Sequence, residues 1–141
     1  MRPDRIIVGE VRGEEAFAML SAFNTGHDGS LCTGHGNSTA DMLARLETMV
    51  LMGADLPLEA IRSQIASAID VMVHLGRMRD RSRKVLEIAE IGGCVNGKVV
   101  LNPLFRFQEE AGTAGGKVEG RLQKTGELKN RSKLAAAGCE L

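Results

Sequence analysis

The sequence predicts an α/β protein: parallel strands wrapped by helices, then antiparallel strands, then a short C-terminal helix. Two short apolar runs alternate with two helical runs at the start of the chain, and that order argues for a parallel sheet covered by helices. Further on, Asn96-Gly97 lies between two β-branched runs, which signals a hairpin and hence antiparallel strands. From Gln108 onward the chain is polar and rich in glycine, with Gly112, Gly115 and Gly116 in a connector.

Arg5-Ile6-Ile7-Val8-Gly9 is continuously apolar after its arginine, as expected of a parallel strand covered on both faces, and Glu10 follows at its carboxyl end. Glu14 to Asn24 carries Ala16, Phe17, Met19, Leu20 and Phe23 at helical spacing, with two acids in the first turn and Thr25-Gly26 to end it. Ser30-Leu31-Cys32-Thr33, bounded by Gly29 and Gly34, reads as a second strand with His35 just beyond it. Ser38 then caps a helix, with Asp41 three residues on and Met42, Leu43, Leu46, Met49 and Val50 on one face. Methionines 42, 49 and 52 are expected to fill core.

Asp55 to Ala68 predicts a third helix, with Pro57 in its first turn and Leu58, Ile61, Ile65 and Ile69 as its core stripe. Asp70 to Leu75, Val85 to Ile91 and Lys98 to Phe107 read as strands, a possible strand follows at Val118 to Leu122, and Lys129 to Ala137 reads as a short helix. The organisation expected is a core over residues 1–108 and a flexible connector with a C-terminal extension over 109–141.

Composition narrows the function classes. The chain has 141 residues, 18 basic and 18 acidic side chains, and a pI near 6.8. It therefore offers no basic field for a phosphate backbone, and no nucleic-acid partner is expected. Aromatic residues are all Phe, so stacking platforms are missing. No apolar run approaches the roughly 20 residues of a membrane span, and the start lacks the layout of a signal peptide. Cys32, Cys94 and Cys139 are few and scattered, which fits a reducing cytoplasm.

Two places carry chemistry. A carboxylate at the carboxyl end of a parallel strand faces the crevice where ligands sit, so Glu10 could orient and deprotonate a water or hold magnesium through one; a solvated turn residue would look the same. Around the second strand, His27 enters and His35 leaves, and with parallel strands His35 emerges beside Glu10. A histidine there can donate a hydrogen bond to phosphate. His27, Cys32 and His35 could instead form a metal site, although their spacing matches no standard zinc set and a fourth ligand is missing. Gly92-Gly93-Cys94-Val95-Asn96-Gly97-Lys98-Val99 has the G-x-x-x-x-G-K spacing but places Val99 where a phosphate-binding loop needs a hydroxyl, and it leads into a strand. It reads as a hairpin turn. The run Arg77 to Lys84 could meet anions or acids of another subunit, and equally fits a solvated loop.

Met1 to Gly13 resembles the Walker B segment of the ATPases that drive type II and type IV secretion and pilus assembly, and Thr25-Gly26-His27 through His35-Gly36-Asn37-Ser38 resembles their histidine box. Arg45 to Val50, Ile61 to Asp70, Leu104-Phe105-Arg106-Phe107 and the tail from Lys117 are most similar to the CpaF-type branch, the motor of tight-adherence pili. The resemblance implies a partial RecA-like P-loop ATPase core and a family of ring hexamers that couple ATP hydrolysis to pilus or substrate movement at the cytoplasmic face of the inner membrane. It assigns catalysis to Glu10 and His35, cofactor binding to Arg12 and His27, and no direct metal ligand, Glu10 reaching magnesium through water. Homologous ATPase subunits and inner-membrane pilus or secretion proteins are the implied partners; ATP and magnesium are the implied cofactors. The family's phosphate-binding loop would precede Met1, so weak nucleotide binding by this chain alone is expected, with activity only on complementation. A noncatalytic module that binds full-length subunits is the competing expectation. An uncovered apolar strand edge, with low stability or association, follows from the same missing strands. Gly34 stands where the family has an aliphatic residue, which is expected to loosen that strand end.

Overall fold

The computed structural model describes residues 2–112 and 114–140. The elements run β1 (Ile7–Val8), α1 (Glu15–Phe23), β2 (Leu31–Cys32), α2 (Thr39–Gly53), α3 (Leu58–Ala68), β3 (Val71–Arg77), β4 (Arg83–Val95), β5 (Lys98–Glu109), β6 (Gly120–Lys124) and α4 (Ser132–Ala136). β1 and β2 pair in parallel, Ile7 opposite Leu31 and Val8 opposite Cys32. β3, β4, β5 and β6 form one antiparallel sheet in chain order. The α/β class, the parallel pair, the antiparallel continuation and the short C-terminal helix are as the sequence predicts.

Differences at element ends have local causes. α3 begins at Leu58 because Pro57 is its N-cap, at ψ 143°, and the residue before a proline is held away from helical angles. α2 begins as expected: Ser38 Oγ accepts from the Asp41 N–H at 3.0 Å, and Asp41 Oδ2 accepts from the Asn37 N–H at 2.8 Å. β6 starts at Gly120 rather than Val118 because the Val118 N–H donates to Asp80 Oδ2 at 2.8 Å. α4 starts at Ser132 rather than Lys129 because the N–H groups of Lys129 and Asn130 donate to Glu90, at 3.0 and 2.7 Å. The expected boundary after residue 108 falls inside β5, and β6 returns the chain to the same sheet.

The core lies between the helices and both sheets. Leu20 of α1, Val50 of α2 and Ile61 and Ile65 of α3 are fully buried, and Ile91 of β4 joins the same cluster. Each such side chain contributes about 1.5–3 kcal/mol relative to exposure. Met49 belongs to this core and Met42 packs against it, but Met52 is 66% exposed, so the core-filling expectation fails there. Arg62 straps the layers together: Nε donates to Glu47 Oε1 at 2.8 Å and Nη1 to the Gly97 carbonyl at 2.9 Å.

Both doubtful runs become turns. Asn96 and Gly97 have φ of 51° and 73°, the left-handed pair of a type I′ hairpin, with Val95 opposite Lys98. The basic run closes β3 onto β4: the Met78 N–H donates to the Ser82 carbonyl at 2.8 Å, and Arg79 forms a bidentate pair with Glu109.

Candidate functional site

Glu10 and His35 ride the tips of adjacent parallel strands and meet. The β1–β2 ladder sets this up. The Leu31 N–H donates to the Ile6 carbonyl and the Val11 N–H to the Thr33 carbonyl, both at 3.0 Å, so the two strands stay in register up to residues 11 and 33. Thr33 Oγ1 adds a short bond to the Gly9 carbonyl. Beyond that rung His35 Nε2 lies 2.8 Å from Glu10 Oε1.

Arg12 completes the cluster, with Nη2 2.5 Å from Glu10 Oε2. The hydrogen-bonded guanidinium holds the Glu10 carboxyl below the usual range, against the opposing effect of burial, with the charge of His35 acting in the same direction as Arg12. Glu10 is therefore ionised at neutral pH. Its side chain is only 23% exposed, whereas those of Arg12 and His35 are about four-fifths exposed. Oε1 itself is below the surface, with the His35 imidazole as its neighbour and no full hydrogen bond to it. Glu15 fixes the backbone of the turn that carries Arg12, its Oε1 accepting the N–H groups of Arg12 and Gly13 at 2.6 and 3.1 Å.

His27 lies elsewhere. Its Nδ1 is 2.9 Å from the Pro3 carbonyl oxygen. That oxygen can only accept, so Nδ1 carries the proton. Pro3 and His27 both precede their strands, which places His27 at the amino end of the parallel pair, opposite Glu10 and His35. The two histidines are thus kept apart, and no group of three or more His, Cys, Asp or Glu that could hold a metal occurs among the described residues.

Gly34 has a structural reason. A Cβ there would run into the thioether end of Met42, with Val11 behind it. Met42 fills the space that a larger residue would take, so the strand end lies against α2. The sequence signal was available, a Gly facing a long flexible side chain, but the pairing of the two needed the fold. Beside Gly34, a cleft of about 500 Å³ runs between β2 and β3, with Met42 and Leu46 among its lining residues.

Comparison with known proteins decides the family. Residues 1–133 match the type II/IV secretion system protein family. The chain belongs to that family. This secretion-family chain is 46% identical over 89 residues to the putative conjugal transfer protein Rv3659c of Mycobacterium tuberculosis, an overlap of 63% of this chain and 25% of the relative. It is 35% identical over 114 residues to the conjugal transfer protein TrbB of Rhizobium radiobacter, covering 81% of this chain and 34% of that one. Its fold is similar to the crystal structure of the VirB11 ATPase of the Brucella suis type IV secretion system in complex with sulphate: TM-score 0.60, 35% sequence identity, 64% of this chain and 28% of that one. The secretion-family chain therefore spans between 25% and 34% of the length of these relatives. No helix among the described residues is long and apolar enough to cross a membrane.

The donor set fits one end of a nucleotide site. An ionised carboxylate suits magnesium-bound water, and an imidazole suits a phosphate oxygen. The only G-x-x-x-x-G-K spacing in the sequence forms the β4–β5 hairpin and leads into a strand rather than a helix, so it does not supply a phosphate cradle.

Proposed function

We propose that this chain supplies the water-activating half of the ATPase site of a secretion motor, the phosphate-binding loop lying outside its 141 residues. The 2.8 Å approach of His35 to an ionised Glu10 at one edge of a parallel pair carries the reading. Glu10 would orient the attacking water and accept its proton, and magnesium held through water at the same carboxylate would neutralise phosphate charge. His35 would donate to a phosphate oxygen from Nε2. Arg12 keeps Glu10 ionised and would screen the negative charge that gathers there. His27, tied to Pro3, would steady the opposite end of the pair and takes no part in this reading of the nucleotide site.

The CpaF-type assignment, with movement of a tight-adherence pilus at the cytoplasmic face of the inner membrane and a ring of homologous subunits, is supported by the segments Arg45 to Val50, Ile61 to Asp70 and Leu104 to Phe107. A second reading, a noncatalytic module that binds full-length subunits, is favoured by one observation: Glu10 is already engaged by Arg12 and His35 within the chain.

Magnesium-dependent ATP turnover of the 141-residue chain, co-expressed with a full-length family member, separates the two. The expected result is turnover that falls about 100- to 10,000-fold when Glu10→Gln is introduced into this chain, the usual contribution of a positioned base. His35→Ala should also lower it. The motor's own intact sites set the background, measured with a full-length partner whose equivalent acid is replaced. Co-purification with unchanged turnover in Glu10→Gln supports the module instead.

A further inference from the structure

The imidazole of His35 is 82% exposed, so side-chain packing does not fix its place against Glu10. Its place comes from the backbone on either side. On the strand side, the Val11 N–H donates to the Thr33 carbonyl and Thr33 Oγ1 to the Gly9 carbonyl, which ties residue 33 to the strand that carries Glu10. On the helix side, the chain after His35 lies against the first turn of α2. A Cβ on Gly36 would come within 3.1–3.3 Å of Met42 Cβ, N and Cα, and the Met42 N–H donates to the Ser38 carbonyl at 3.0 Å. His35 therefore moves with the start of α2.

A buried hydroxyl ties that end of α2 to the antiparallel sheet. Thr39, the first residue of the helix, is 4% exposed, and its Oγ1 donates to Glu87 Oε1 of β4 in a short bond that spans 48 residues of sequence. Ser38 already caps α2, so the Thr39 hydroxyl is left for the sheet. Glu87 is held in its turn. Its other oxygen, Oε2, pairs with Arg106 Nε at 3.3 Å, and its side chain is 20% exposed. The register sets His74, Glu87, Arg106 and Gln123 opposite one another across β3, β4, β5 and β6, a polar row in a sheet whose neighbouring Ala89 and Leu104 are buried. Polar groups persist in such a place when they are paired, and each oxygen of the Glu87 carboxylate has its partner.

We infer that Glu87 is a positioning residue for His35. Through Thr39 it fixes the first turn of α2, that turn sets the course of residues 34–38, and those residues present the imidazole to Glu10. Arg106 keeps the carboxylate in place. The inference rests on the reading of Glu10 and His35 as one nucleotide site and deepens it, adding residues that touch neither magnesium nor phosphate. An effect at this distance is physically reasonable, because a displacement of about 1 Å in a reacting group costs about 100-fold in rate. The antiparallel sheet thus reaches the site by a second route: α3 supports the core, and Glu87 supports the histidine loop.

The test follows the ring signals of the three histidines of the 141-residue chain by NMR at neutral pH. In the parent, Glu10→Gln should move the His35 signal and leave those of His27 and His74 in place. Thr39→Val keeps the shape of the side chain and removes the hydroxyl; in that background the movement caused by Glu10→Gln should fall at least twofold. Glu87→Ala should do the same from the sheet side, so the result does not hang on one variant folding. Thr39→Ser retains the donor and should keep the parent's movement. Ile61→Val, a core change outside this network, should also keep it, which separates positioning from loss of stability. A His35 signal that does not move in the parent, undiminished movement in Thr39→Val or Glu87→Ala, reduced movement in Thr39→Ser, or an equal reduction in Ile61→Val would overturn the inference. The nucleotide reading fails by a different result, unchanged ATP turnover in Glu10→Gln.

Discussion

The two sheets of this molecule solve the same problem unequally. The antiparallel sheet has strands of 7, 13, 12 and 5 residues, each hydrogen-bonded to the next through the chain's own turns. The parallel sheet has two strands of two residues each, and leaves Ile7 and Leu31 about two-thirds exposed. Hairpins let consecutive segments satisfy one another; parallel strands depend on crossovers and on neighbours from elsewhere in the chain or from another chain. The acid and the imidazole therefore sit on the less self-sufficient sheet, and the better-paired sheet serves as its support through α3.

Removing the support should have the largest effect on stability. Ile61 is completely buried in α3, within the cluster that joins α1 and α2 to Ile91 of β4. Ile61→Ala should cost about 2–5 kcal/mol, the range for large-to-small changes in a packed core. Amide exchange followed residue by residue in rising urea should show residues 6–11 and 31–33 losing protection before β4 and β5. Earlier loss in β4 would reverse the comparison drawn between the two sheets.

A smaller effect is expected from a buried acid that ties the tail to the stronger sheet. Glu90 is 2% exposed, and burial by itself would raise its pKa. The N–H groups of Asn130 and Lys129 and the amide of Asn102 outweigh that and keep it lowered. Glu90→Ala should cost about 1–3 kcal/mol, because those donors lose their acceptor. It should also open trypsin cleavage after Lys129 and Arg131, read by mass spectrometry. Glu90→Gln, which retains one acceptor oxygen, should be cleaved more slowly than Glu90→Ala.

How much was legible in the sequence follows the same division. Apolar runs and helical spacing disclosed β1, α1, β2 and α2, and the Asn96-Gly97 turn disclosed the β4–β5 pair, because each is written in consecutive residues. The placing of Glu10 near His35 followed from one assumption, that β1 and β2 are parallel. What stayed hidden depended on distant partners. Val118 and Lys129 read as parts of regular elements until Asp80 and Glu90 take their N–H groups. His27 and His35 look like a pair in the sequence, but a strand between them sends them to opposite ends. The cleft between β2 and β3 could not be read at all, since it is a relation between residues 31–33 and 71–75 that share no local pattern.

The smallest expected effect lies in the turn that closes the basic run. Asp80 accepts from the Ser82 hydroxyl at 2.6 Å and the Ser82 N–H at 2.9 Å through Oδ1, and from the Val118 N–H through Oδ2. The Ser82 hydroxyl, the Val118 N–H and the Ser82 N–H together lower its pKa to about 2. An unfolded aspartate titrates near 3.9. Because the folded value is the lower one, the ionised side chain favours the folded state fully above about pH 4, and that contribution is lost as pH falls towards 2. The difference in melting temperature between the parent chain and Asp80→Asn should therefore be constant from pH 7 to 5 and shrink between pH 4 and 2. The amide of Val118 should exchange faster in Asp80→Asn at neutral pH, with β1 and β2 unchanged, since this staple belongs to the antiparallel sheet. A difference that grows on acidification would mean that the carboxylate is not the favoured form in this turn.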